Sequence, residues 1–256
     1  MQAILKKDVK TDFDIARGIS IIEENGIEIA VLESMLENPL GHEVTRIGIT
    51  GAPGVGKSTF MNSLLVSQNL GNHKIAVIAI DPSSRRTSGA VLGDRIRITQ
   101  NDIFEKIYFR SMATRGAYGG LNSSIDSVLH FLVNCGFTLI FVETVGVGQN
   151  EVDVTIHVDL VVHILDSNSG DEVQLEKAGV MEVGNVFFVN TRDGKVNHEF
   201  VASLKSFTLN SNRDSSMKPQ VVVGSAISGE GLEEVTRLLS LTSFNHLQME
   251  GLENDD

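Results

Sequence analysis

The sequence predicts an α/β fold in which a mostly parallel central sheet is covered by helices on both faces. From Val44 onward, short segments that are apolar on both faces alternate with longer mixed segments, a pattern typical of parallel strands buried between helical layers. The chain has 256 residues, 41% of them hydrophobic, which is enough for one substantial core. The predicted strands are Arg46–Thr50, Ile75–Ile80, Ile107–Arg110, Leu139–Val142, Leu160–Leu165, Val186–Val189 and Val221–Val223.

Helices are predicted between these strands from the spacing of apolar residues. They are Thr59–Gln68, Leu121–Val133, Glu172–Met181, His198–Phe207 and Gly231–Ser240. Before the first strand, residues 12–37 predict two short helices, because apolar residues recur at helical spacing on either side of Gly26. The expected organisation is an N-terminal helical extension, a nucleotide-binding domain and a polar, disordered tail, at residues 1–41, 42–241 and 242–256.

Composition narrows the classes of partner and location. The formal net charge is −12, from 21 basic and 33 acidic residues, which argues against nucleic-acid or anionic-membrane partners because these need a basic surface. No apolar segment approaches the length of a membrane span, and the first residues lack the features of a targeting peptide. We therefore expect a cytoplasmic protein. The single Cys135 and the scattered histidines predict neither a disulfide nor a zinc or nickel site.

The most informative motif lies between the first predicted strand and the first predicted sheet helix. It fills every fixed position of the phosphate-binding loop pattern, in which glycines let backbone N–H groups surround a triphosphate at a helix N-terminus. Lys57 is expected to reach the β- and γ-phosphates, and the Ser58 hydroxyl to ligate Mg²⁺. The expected nucleotide contacts are Gly51, Ala52, Pro53, Gly54, Val55, Gly56, Lys57, Ser58 and Thr59. The motif makes the fold a three-layer P-loop NTPase with a short N-terminal helical extension.

Polar residues follow several of the predicted strands. In an open α/β sheet, ligands bind at the carboxyl ends of the strands, so Asp81, Glu143, Asp166 and Asn190 are expected around one crevice with the phosphate loop. Glu143 is expected near Mg²⁺, and Gly146 near the γ-phosphate. Alternatively, Glu143 caps the element that follows it.

The segment Asn190-Thr191-Arg192-Asp193 lies where the guanine-reading Asn-Lys-x-Asp motif belongs. Asp193 is expected to accept hydrogen bonds from guanine N1–H and N2–H₂, which adenine lacks, so the chain is expected to select GTP and GDP. Ser225 and Ala226, after the last predicted strand, complete the expected base pocket. Taken alone, the motif is also typical of a turn.

Several further segments resemble the ArgK/MeaB/MMAA family, from about residue 12 to about residue 240. They are Asp81-Pro82-Ser83-Ser84-Arg85-Arg86-Thr87, Leu92-Gly93-Asp94-Arg95, Thr144-Val145-Gly146-Val147-Gly148-Gln149 and Ser169-Gly170-Asp171-Glu172-Val173-Gln174. Proteins of that family are G proteins of the SIMIBI class, metallochaperone-type GTPases that serve adenosylcobalamin-dependent acyl-CoA mutases such as methylmalonyl-CoA mutase.

The resemblance implies roles for individual residues. A Mg²⁺ site would be formed or supported by Ser58, Asp81, Asp94 and Glu143, and the residues implied in catalysis are Lys57, Asp94, Glu143 and Gly146. A third switch loop would relay the nucleotide state to the mutase through Asp171, Gln174 and Lys177. The implied partners are the mutase and a second copy of the chain in a homodimer.

The sequence departs from the family pattern at two places. Thr191 stands where the family carries the lysine that covers the base. About fifteen residues follow the last predicted helix, whereas the family usually has a longer helical arm used for dimerisation. Other functions stay open beside the mutase chaperone: a kinase or ATPase linked to amino-acid transport, a nickel-insertion GTPase, and a nucleotide-binding module without turnover.

Overall fold

The computed structural model of the chain describes residues 1, 4, 11–35, 44–67, 73–81, 107–113, 124–144, 154–167, 184–192, 194–210 and 218–240, with the backbone alone at Asp81 and Ala113. Seven strands form one sheet in the order β3-β2-β4-β1-β5-β6-β7, and every neighbouring pair is parallel. The strands are β1 Thr45–Thr50, β2 Ile75–Asp81, β3 Ile107–Ala113, β4 Leu139–Thr144, β5 Leu160–Asp166, β6 Val186–Asn190 and β7 Gln220–Gly224. The predicted α/β fold is confirmed.

The described helices largely follow the prediction. They are α1 Asp12–Asn25, α2 Ile29–Ser34, α3 Lys57–Val66, α4 Ile125–Asn134 and α5 His198–Leu209, with a sixth, α6, at 232–240. Helix α3 begins two residues earlier than predicted, because Gly56 adopts a left-handed conformation and directly precedes the first helical residue. The predicted helix Glu172–Met181 and the tail 242–256 lie outside the described residues. Within the described part of the chain, no helix has the length and apolarity needed to cross a membrane.

Side chains of alternate strand residues enter different cores on opposite faces of the sheet. On β4, Leu139 and Phe141 join the core that contains Phe60 of α3, whereas Ile140 and Val142 join the core under α1 and α4. This alternation follows from the two-residue period of a strand. Burial on both faces explains why the strands read as continuous apolar segments.

Helix α1 attaches to the second core. It begins with a capping box between Thr11 and Asp14, ends at Gly26 in the left-handed conformation, and buries Ile15, Ile19 and Ile22. Its Gly18 lies against the ring of Phe131 on α4, where a Cβ would meet ring carbon Cζ at 2.3 Å. On the same helix, Glu23 pairs with Arg110 of β3 at 3.1 Å. The extension therefore shares a core with the sheet.

A buried polar pair lies where β1 ends. The Thr50 Oγ1 and His163 Nδ1 atoms are 2.6 Å apart, and both residues are buried. Burial lowers the pKa of His163 from 6.5 to about 3, and the nearby charge of Lys57 lowers it further in the same direction. The imidazole is consequently neutral at physiological pH and ties β1 to β5 at the entrance of the phosphate loop.

Acidification should destabilise the protein through His163. The folded-state pKa lies below the unfolded value of about 6.5, so from pH 6.5 down to about 3 the unfolded state binds a proton that the native state does not. Between about pH 7.5 and pH 5.5 this group alone should lower the unfolding free energy by about 1 kcal/mol. Urea unfolding of His163→Asn and the wild type should show a flatter pH dependence for the variant. Identical slopes would contradict the assignment.

The first glycine of the loop, Gly51, should be less replaceable than the second, Gly54. Gly51 has φ 135°, and a Cβ there would lie 2.3 Å from the Ile164 carbonyl oxygen, whereas Gly54 has φ 74° and open space around it. Gly54→Ala therefore meets only the left-handed backbone penalty, and Gly51→Ala also displaces β5. We expect Gly51→Ala to lose about 2 kcal/mol more unfolding free energy than Gly54→Ala, measured by urea denaturation. Equal losses would show that the carbonyl contact has no energetic weight.

Candidate functional site

The phosphate loop lies between β1 and the first turn of α3, as the sequence predicts. Gly56 has φ 104°, and a Cβ at this position would lie 2.7 Å from the Asn190 side-chain nitrogen. The first turn of α3 follows directly, so its backbone N–H groups and the positive end of its dipole are directed toward the loop. This geometry suits an anion such as a phosphate.

Lys57 lies with its ammonium group inside the loop. Its Nζ donates hydrogen bonds to the carbonyl oxygens of Gly51 at 2.7 Å and Ala52 at 3.0 Å, and the residue is only 7% exposed. Buried charges of this kind require polar partners. The loop carbonyls hold the cation beside the position where a triphosphate would lie.

Ser58 and Glu143 meet at the end of the same cavity. The Ser58 hydroxyl donates to Glu143 Oε1 at 2.9 Å, although the two residues are 85 positions apart and belong to α3 and β4. The cavity has a volume of about 460 Å³, and its lining includes the predicted Thr59; the lining residues are Pro53, Gly54, Gly56, Lys57, Ser58, Thr59, Glu143 and Thr144. The structure thus joins two of the four residues that the sequence analysis suggested for Mg²⁺.

A hydroxyl and a carboxylate are both oxygen donors, which Mg²⁺ prefers, and Mg²⁺ typically takes few protein ligands beside phosphate oxygens and water. Ser58 and Glu143 fit that requirement. The backbone of Asp81 ends β2, whose register pairs Ile80 with Thr144 of β4, so Asp81 belongs to the same edge. Among the residues described, no three His, Cys, Asp or Glu side chains cluster as a metal site would need.

Asn190 connects the phosphate loop to the segment after β7. Its Nδ2 donates to the Val55 carbonyl oxygen at 2.9 Å, and its Oδ1 accepts from the Ala226 N–H at 2.9 Å. The neighbouring Ser225 hydroxyl accepts from the N–H groups of Ile227 and Ser228, both at 3.3 Å. Of the predicted base pocket, Asn190 therefore contacts the loop directly and also binds Ala226, the residue after Ser225.

Arg192, for which the sequence predicts no role, contacts the loop. Its Nη2 donates to the Gly54 carbonyl oxygen, and its Nε lies 3.3 Å from Asp166 Oδ2. The available signal was an arginine next to the position that lacks the expected lysine. Asp166 was expected at the crevice, and it lies there as the partner of Arg192.

Several predicted site residues lie outside the described part of the chain. These are Asp94, Gly146, Asp193, Asp171, Gln174 and Lys177. Their roles in metal binding, catalysis, base selection and switching stay predictions.

Comparison with known proteins identifies the family. Residues 15–255 match the family described as Methylmalonyl Co-A mutase-associated GTPase MeaB. GTPase ArgK of Escherichia coli is 31% identical over 250 residues, covering 91% of this chain and 74% of that protein. The mouse protein named methylmalonic aciduria type A homolog, mitochondrial, is 34% identical over 197 residues, covering 74% of this chain and 47% of that protein.

A protein of Pyrococcus horikoshii that is named as a GTPase is 41% identical over 179 residues. The alignment covers 70% of this chain and 56% of that protein. The chain thus spans little more than half the length of the Pyrococcus relative. A crystal structure of an LAO/AO transport system kinase aligns with a TM-score of 0.63 and 22% identity, over 94% of this chain and 80% of that one. At that identity the likeness concerns the fold alone, and it agrees with the predicted P-loop architecture. The match of 15–255 confirms the resemblance seen in the sequence, and the chain belongs to the MeaB family of GTPases.

Proposed function

We propose that this chain binds GTP with Mg²⁺ at the phosphate loop, hydrolyses it, and couples its nucleotide state to an adenosylcobalamin-dependent acyl-CoA mutase. The observation that carries the proposal is the contact between Ser58 and Glu143 at 2.9 Å, in the cavity that also contains Lys57. Membership of a mutase-associated GTPase family supports it.

Phosphate binding is the first step of the proposed activity. The Lys57 ammonium lies within hydrogen-bond distance of two loop carbonyls and exchanges them for β- and γ-phosphate oxygens when a triphosphate enters. A phosphate oxygen carries more charge than a carbonyl oxygen, so this exchange favours the bound state. The backbone N–H groups of the loop complete the phosphate cradle.

The metal site follows from the same cavity. Bound Mg²⁺ would neutralise the charge of the β- and γ-phosphates and favour attack by water on the γ-phosphorus. Ser58 and Glu143 would hold it, with Asp81 and Asp94 in support. We assign Gly146 to the γ-phosphate, as its place after Glu143-Thr144-Val145 indicates.

Base selection is assigned to the segment after β6 and the segment after β7. The two hydrogen bonds of Asn190 hold these segments next to the loop, and Asp193 follows three residues later in the sequence. A carboxylate there discriminates guanine from adenine by up to about 10⁴-fold, because adenine leaves its acceptors unpaired. Competition between GTP and ATP measures this selectivity.

The proposed partner is the mutase, which the chain would bind with an affinity that depends on the bound nucleotide. We assign the relay to Asp171, Gln174 and Lys177, and we include a homodimer among the assemblies to be tested. A bound nucleotide can change the affinity for the mutase only if it binds two conformations of the chain with different affinities. A coupling free energy of about 1–3 kcal/mol between the two sites would be ordinary.

Lys57→Ala should weaken GTP binding on the order of 100-fold, since it removes a charge-assisted contact to phosphate. Isothermal calorimetry with Mg²⁺ and GTP measures the change. Lys205→Ala, on the exposed face of α5, is the matched control and should bind as the wild type does. Unchanged GTP affinity in a folded Lys57→Ala protein would overturn the phosphate-loop assignment.

Lys177→Ala should reduce stimulation of GTP hydrolysis by the cognate mutase while basal hydrolysis stays unchanged. Asp94→Ala should lower both, because we place Asp94 in the metal site. Phosphate release with and without a purified mutase measures both rates, and Lys205→Ala again serves as control. If stimulation by the mutase persists in Lys177→Ala, the relay does not run through this residue.

A further inference from the structure

We propose that Arg192 supplies the cation that covers the nucleotide base, in place of the lysine that is absent at position 191. The inference rests on the proposed binding of a guanine nucleotide and adds a residue to that same site. It is carried by the opposite directions in which Thr191 and Arg192 extend.

Thr191 extends away from the loop. Its backbone N–H and its hydroxyl both donate to the Gly224 carbonyl oxygen, at 2.7 Å and 3.0 Å, and the residue is only 5% exposed. One bond from the backbone and one from the hydroxyl, both to the same acceptor on β7, hold this short residue inside the protein. Thr191 therefore has neither the charge nor the reach to cover a base.

Arg192 extends to the phosphate loop and is held there at two points. Its Nη2 donates to the Gly54 carbonyl oxygen, and its Nε lies 3.3 Å from Asp166 Oδ2 at the end of β5. A guanidinium group is planar, so contacts at two of its nitrogens define the orientation of its plane. The side chain is nevertheless 45% exposed, which leaves part of its surface available to a ligand.

The location of Arg192 suits a base rather than a phosphate. Asn190, two residues earlier, bonds both Val55 of the loop and Ala226 after β7, so the segment lies between the phosphate cavity and the expected base pocket. Gly54, the acceptor of Arg192, lines that cavity. A nucleoside that extends from the cavity toward Ala226 passes the guanidinium, which can stack on the face of a purine.

Arg192 could act in a second way, by fixing the phosphate loop through Gly54 without touching the base. The two roles differ in which ligands they affect. A residue that only fixes the loop contributes equally to GDP and to inorganic pyrophosphate. A residue that stacks on the base contributes to GDP alone.

The test compares the wild type, Arg192→Ala and Arg237→Ala by calorimetry with GDP and with pyrophosphate, both in the presence of Mg²⁺. Arg237 lies on helix α6 with its side chain 61% exposed and an ion pair to Glu234, so this control removes the same charge from another position. We expect Arg192→Ala to bind GDP about tenfold more weakly and pyrophosphate within about twofold of the wild type. Arg237→Ala should match the wild type with both ligands.

Equal weakening of GDP and pyrophosphate in Arg192→Ala would overturn the inference in favour of a loop-fixing role, and unchanged GDP affinity would overturn it outright. A thermal unfolding midpoint within a few degrees of the wild type confirms that the variant is folded. If the wild type binds pyrophosphate but not GDP, both the base assignment and the role of Arg192 fail. If it binds neither, the proposed nucleotide function fails as well, which separates that failure from a failure of Arg192 alone.

Discussion

The side-chain amide of Asn190 is the interaction on which the arrangement of the site depends. It donates to the Val55 carbonyl oxygen and accepts from the Ala226 N–H, so one buried group links the phosphate loop to the segment after β7. Leaving a buried amide or carbonyl group without a partner costs about 1–3 kcal/mol of folding free energy. Moving either the loop or the segment after β7 would therefore leave part of the Asn190 amide unpaired. Gly56 allows the approach, because any Cβ there would collide with the same amide nitrogen.

The charges around the loop are arranged so that the interior cation does not destabilise the fold. Lys57 is buried, but two loop carbonyls accept its hydrogen bonds. His163, which lies under the same loop, is kept neutral by its lowered pKa and so adds no second positive charge. Glu143 places a carboxylate at the far end of the cavity, next to Ser58. The result is a polar cavity with a cation, Lys57, to bind an anionic phosphate and a carboxylate, Glu143, to bind a metal cation.

In the proposed site, Arg192 takes the role of the lysine that is absent at position 191. Thr191 is part of the contact between the end of β6 and β7, where its buried hydroxyl donates to the Gly224 carbonyl oxygen. Its neighbour Arg192 has a longer, positively charged side chain that extends to the phosphate loop. A cation one residue further along the chain can therefore lie where the lysine side chain would be expected.

The sequence by itself determined the α/β class, the seven strands and the phosphate loop, because these depend on local periodicity and on an ordered motif within eight consecutive residues. It also identified Ser58 and Glu143 as candidates for Mg²⁺ binding and Asn190 as a candidate for the base pocket, each from its own local motif. Only the tertiary structure decided that Ser58 and Glu143 touch, that Asn190 joins two segments, and that Arg192 reaches Gly54 while Thr191 does not. Strand order and register set these contacts between residues far apart in the chain, and no local pattern encodes the direction of one loop side chain.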